Sequence, residues 1–126
     1  MERYDPEVPP DPNEWLALDA DERTLLVERY HRDARVSLAK RARPIHALIH
    51  TVVENQLALE DQTIVREALQ RLIGEGLTRH DAVHAIGTVL AEYTHDLLNK
   101  KEVQSDGHLP YYEALQQLTA EKWRDG

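Results

Sequence analysis

Helix-start signals recur along this chain, and each opens a segment whose apolar residues return every three to four positions. Asp11-Pro12-Asn13-Glu14 supplies an N-cap, a proline at the first helical position and an acid three residues after the cap. Asp19 with Glu22 has capping-box spacing, Pro44 can open another helix, Thr78 with Asp81 is an aspartate variant of the box, and Pro110 can open the last. No segment alternates as a strand does. This punctuation predicts an all-α fold, a single-domain bundle of four main helices plus a short N-terminal helix. Helices are expected from Ala20 to about Val36, Pro44 to Leu59, Thr63 to Glu75 and Thr78 to Lys101, and a final one from Pro110 to Trp123, with Gly76 as a C′ residue and a turn at Ser105-Asp106-Gly107.

The first 12 residues hold Pro6, Pro9, Pro10 and Pro12 without apolar periodicity, which predicts an extended arm lying on the surface, followed by one helical domain over 13–126. A chain of 126 residues can bury a core without disulfides, and it has no Cys with which to form one. The same absence removes thiolate metal sites, so any bound metal must be held by nitrogen and oxygen. Lys and Arg total 15 against 23 Asp and Glu, a formal charge of −8, which argues against a nucleic-acid or anionic-membrane surface. No apolar run approaches the roughly 20 residues of a membrane span and the N-terminus lacks a signal-peptide core, so a cytoplasmic protein is expected.

Within this frame the chemistry concentrates in two stretches, His46-Ala-Leu-Ile-His50 and His80-Asp-Ala-Val-His84. Residues four apart on a helix share a face, one turn above the other, so each stretch can aim two imidazoles at one point. In the first, Ile45, Leu48, Ile49, Val52 and Val53 define an apolar stripe. At about 100° per residue, His46 and His50 fall on one flank of that stripe. Glu54 continues their row one turn further. In the second, Val83, Ile86, Leu90, Tyr93 and Leu97 form the stripe, and His80 and His84 sit on the matching flank beside Gly87 and Ala91.

Neutral imidazole is the commonest transition-metal ligand at neutral pH, and two helical pairs could complete a four-nitrogen site. The candidate ligands are His46, His50, His80 and His84, with Glu54 as an oxygen ligand or as a partner to a ligating ring. Zinc or nickel is the expected ion, with iron or copper also open. The competing readings are a metal-free structural or protein-interaction module, with histidines at a helix or homodimer interface, and a zinc-dependent hydrolase using the HDxxH segment. The latter departs from the peptidase pattern H-E-x-x-H, since Asp81 stands in place of the glutamate and also suits a capping role. A ferritin-like di-iron site would need Glu-x-x-His on two helices, and bis-histidine haem would leave two imidazoles unused. No reaction is assigned. His31, among Arg29, Arg32 and Arg35, is expected on a solvated surface, and so is His95, while His108, in a loop before proline, is read as structural or solvated. The basic run through Lys40, Arg41 and Arg43 is read as cations at a helix end and on a wet loop rather than as an anion site.

The pattern His46-x-x-x-His50-x-x-x-Glu54-Asn55-Gln56 followed by His80-Asp-Ala-x-His84 resembles a family of small bacterial helical proteins known only as a domain of unknown function. The resemblance covers about residues 44 to 98. It implies a bacterial cytoplasmic protein in which the four histidines act as a unit, and it supplies no activity.

Overall fold

The computed structural model describes residues 1–33, 43–99 and 109–125. Among these the chain is all-α: α1 (Pro12–Ala17), α2 (Ala20–Asp33), α3 (Arg43–Ala58), α4 (Thr63–Gly74), α5 (Arg79–Asn99), α6 (Leu109–Gln117) and α7 (Ala120–Asp125), with no strand. They belong to two compact units, Met1–Gln62 and Thr63–Gly126. The expected turn at Ser105–Gly107 and the expected C-terminal end of α2 beyond Asp33 lie outside the described residues.

In the first unit, α2 packs along α3, and α1 packs on α3 as well. Asp11 caps α1 as its sequence predicts: its side chain accepts from the Asn13 amide at 2.9 Å, with proline opening the helix. So short a helix leaves C-terminal carbonyls open, and Arg23 closes them, with Nε donating to Trp15 O and Nη2 to Leu16 O, both at 2.9 Å. Asp19 caps α2 by accepting from the Glu22 amide at 2.8 Å, and that bond holds the Asp19 carboxyl below the usual carboxylate range.

The core of this unit is Tyr4, Trp15, Leu26, Val27 and Ala47, with Leu18, Tyr30 and Ala58 packed at its edge. Trp15 is fully buried, and a buried indole needs an acceptor for its N–H. Asn55 Oδ1 provides it at 2.8 Å and takes Arg23 Nη1 at 3.2 Å as well. The proline-rich arm does not simply lie on the surface: Tyr4 and Pro6 are buried, and Tyr4 stands 5.7 Å from Trp15 and 6.1 Å from Tyr30 between ring centroids.

The buried face of α3 differs from the expected one. Leu48 is 52 % exposed, while Ala47, His50, Thr51, Val53 and Glu54 are buried. Placing Ile45 at zero and stepping about 100° per residue, the buried side chains centre near 180°; of the expected stripe Val53 is buried as expected, while Ile49 and Val52 are half-buried. The physical reason is that polar groups on this face find partners. Thr51 Oγ1 donates to Ala47 O at 2.6 Å, and His50 and Glu54 are hydrogen-bonded to Tyr4.

In the second unit α4, α5 and α6 pack pairwise on one another. Val65, Ala68 and Leu72 of α4, Ala82, Val83 and Ile86 of α5, and Tyr111 and Leu115 of α6 are buried. Gly76 takes the left-handed conformation (φ 104°) predicted for it. Its amide reaches Ile73 O at 3.0 Å and the Leu77 amide reaches Leu72 O at 3.1 Å, a Schellman motif with Leu72 and Leu77 both buried. The expected last helix is two. α6 stops at Gln117 and α7 restarts at Ala120, capped by Thr119 Oγ1 accepting from the Lys122 amide at 3.1 Å. Neighbouring charges bond the exposed ends. Arg71 Nη2 donates to Leu115 O at 2.6 Å and Leu118 O at 3.0 Å, and Glu75 Oε1 accepts from the Ala120 amide at 2.9 Å.

Candidate metal centre

The second unit carries its histidines on the first turns of α5. Thr78 Oγ1 accepts from the Asp81 amide at 3.1 Å and so fixes where the helix begins, which is the capping role expected of this segment. Ala82, Val83, Ala85 and Ile86 are fully buried, so the helix cannot rotate without opening the core. His80 and His84 are thereby held one above the other, half-buried, with ring centroids 4.3 Å apart and their Nε2 atoms 3.1 Å apart. A neutral imidazole has one N–H and one lone pair. Two Nε2 atoms at this distance either share a proton or ligate a common ion. On a tetrahedral zinc with bonds of about 2.05 Å, two ligand nitrogens stand about 3.3 Å apart. The pair is already close to that bite.

The first unit carries a second pair, His31 on α2 and His50 on α3. Both are buried, their rings meet nearly edge to face at 5.1 Å and 77°, and their ligand nitrogens lie within 4.8 Å. His31 Nδ1 lies 2.8 Å from Val27 O. A carbonyl can only accept, so Nδ1 carries the proton and Nε2 keeps the lone pair, which is the arrangement found behind metal-ligating histidines. Burial pushes the His31 pKa down, and the bond to Val27 only partly offsets this, so the ring is neutral as a ligand must be.

His50 is supported differently. The Tyr4 hydroxyl lies 2.7 Å from His50 Nε2 and donates to Glu54 Oε2, and Tyr4 and His50 rings meet at 5.3 Å and 83°. Glu54, at 2 % exposure, is as buried as His50 itself.

Each pair, His31 with His50 in the first unit and His80 with His84 in the second, offers nitrogen donors that could hold a metal ion. His50, His80 and His84 were predicted from their spacing. The side chain of His46 lies outside the described residues. Glu54 is not in the donor set and bonds Tyr4 instead. His31 corrects the sequence reading, since the ring expected on a solvated surface is 6 % exposed. Its signal was present: His31 falls four residues after Val27, on the buried face of α2, while Leu25 is 44 % exposed. His95 is exposed as expected, and His108 is outside the described residues.

No described helix is long and apolar enough to cross a membrane. Comparison of the chain with family models, with curated proteins and with solved structures gives no match.

Proposed function

We propose that this chain binds a transition metal through its paired histidines, His31 with His50 in the first unit and His80 with His84 in the second, with zinc or nickel as the ion. The observation that carries this reading is the 3.1 Å separation of His80 and His84 Nε2, held by a buried helix and close to the edge of a tetrahedral coordination shell. The fixed tautomer of His31 supports it from the other unit. With neither Cys in the chain nor a carboxylate in the donor set, an all-imidazole shell favours zinc, nickel or copper over magnesium or calcium.

A metal-free reading has one observation in its favour, because 3.1 Å also suits an N–H···N hydrogen bond between His80 and His84. Elemental analysis of untagged protein, purified without chelators, separates the two. The metal reading expects at least near one equivalent of a transition metal in the wild type and a clear loss of metal in both His50→Ala and His84→Ala. Far less than one equivalent in the wild type, with a melting temperature indifferent to added zinc or nickel, contradicts it.

A further inference from the structure

We infer that Tyr4 and Glu54 form a relay that fixes the tautomer of His50, placing its proton on Nε2 and making Nδ1 its ligand nitrogen. The inference rests on the metal reading only for its consequence, not for the tautomer itself. Tyr4 has a single hydroxyl proton, and the structure gives it to Glu54 Oε2. The phenol oxygen then meets His50 Nε2 at 2.7 Å with only lone pairs to offer, so Nε2 must supply the proton of that bond. The chain of bonds is His50 Nε2–H to Tyr4 O, and Tyr4 O–H to Glu54. Metal-ligating histidines commonly donate their second ring N–H to a carboxylate directly, which sets ring orientation and raises basicity. Here the phenol stands between the two, and all three side chains are at most 4 % exposed, where such bonds polarise one another.

Two consequences distinguish this from ordinary packing. His31 and His50 use opposite nitrogens: His31 has its proton on Nδ1, held by Val27, while His50 has it on Nε2. Glu54, which the sequence offers as an oxygen ligand, becomes a positioning residue acting through Tyr4. The arm residue Tyr4, 46 positions from His50 in sequence, is then part of the apparatus that sets a ligand.

The test is long-range ¹⁵N–¹H correlation of the histidine rings in ¹⁵N-labelled, metal-free protein, followed by zinc affinity measured by competition with a chromophoric chelator. Wild-type protein is expected to show His50 protonated at Nε2 and His31 at Nδ1. Tyr4→Phe keeps the ring and its packing but removes the acceptor. It should abolish the Nε2–H preference of His50, leave the His31 signals in place and weaken zinc about 10–100-fold, as loss of an outer-shell partner does. Glu54→Gln can still accept from Tyr4 through its amide oxygen, so the tautomer should persist with a smaller loss of affinity. That variant keeps the test intact if Tyr4→Phe folds poorly. A wild-type His50 protonated at Nδ1, or a Tyr4→Phe protein with unchanged tautomer, overturns the relay. A wild type with the expected tautomer and no zinc binding supports the relay and overturns the metal reading instead.

Discussion

His80 and His84 face each other one turn apart on α5, their Nε2 atoms separated by 3.1 Å. A pair so placed acts as one bidentate unit, since loss of either ring leaves the other with a single bond to any ion. His80→Ala and His84→Ala should therefore each weaken zinc by at least about tenfold, the lower end of what outer-shell losses alone cause. His95→Ala, further along the same helix and exposed, should leave affinity within about twofold. Competition titration of the three variants checks this. Equal losses from all three would mean unspecific association with surface imidazoles.

The metal-free protein should lose stability as pH falls below about 6.5, in part through His31. Burial lowers the His31 pKa in the folded state, so the unfolded chain takes up a proton in a range where the folded chain does not. Stability from this group is present above the unfolded pKa and declines from there down to the folded one. Thermal melts between pH 7.5 and 5.5 should show the decline, and His31→Gln should flatten it. A slope identical in both proteins would remove His31 as its source.

Substitutions on α3 tell its two faces apart. Leu48→Ser, at an exposed position, should change stability by no more than about 0.5 kcal/mol. Val53→Ala, at a fully buried one, should cost about 1–3 kcal/mol. Denaturant melts decide, and the reverse order would mean that Leu48, not Val53, is the buried position.

That contrast shows what the sequence could and could not reveal. Caps at Asp11, Asp19, Thr78 and Gly76 are local, so they were legible from residue types alone and recur in the structure. The histidine pair on α5 was legible for the same reason, being set by one helix's own geometry. The orientation of α3 was not, because it depends on Tyr4, which arrives from a distant stretch and satisfies His50 and Glu54 on a face that hydropathy alone would leave in water. The break between α6 and α7 depends likewise on Arg71 of α4 and Glu75 just after that helix. His31 was legible in principle through Val27, and its charged neighbours obscured it.

Gly76→Ala should destabilise the protein by about 1–2 kcal/mol, the cost of left-handed backbone for a residue with a Cβ. Among the described residues an added Cβ would meet only the side-chain end Arg124 Nη2, at 3.4 Å, so the backbone conformation and not crowding sets the effect. A neutral result in denaturant melts would mean that the Schellman turn relaxes.

The central claim is that the paired imidazoles of this chain hold a transition metal, and zinc binding tests it most directly. Isothermal titration of untagged, metal-free protein at pH 7.5 should show tight zinc binding, weakened when His50 and when His84 is replaced by Ala. Tight binding indifferent to both substitutions would contradict the pairs as its ligands, and no measurable binding would contradict a metal centre altogether.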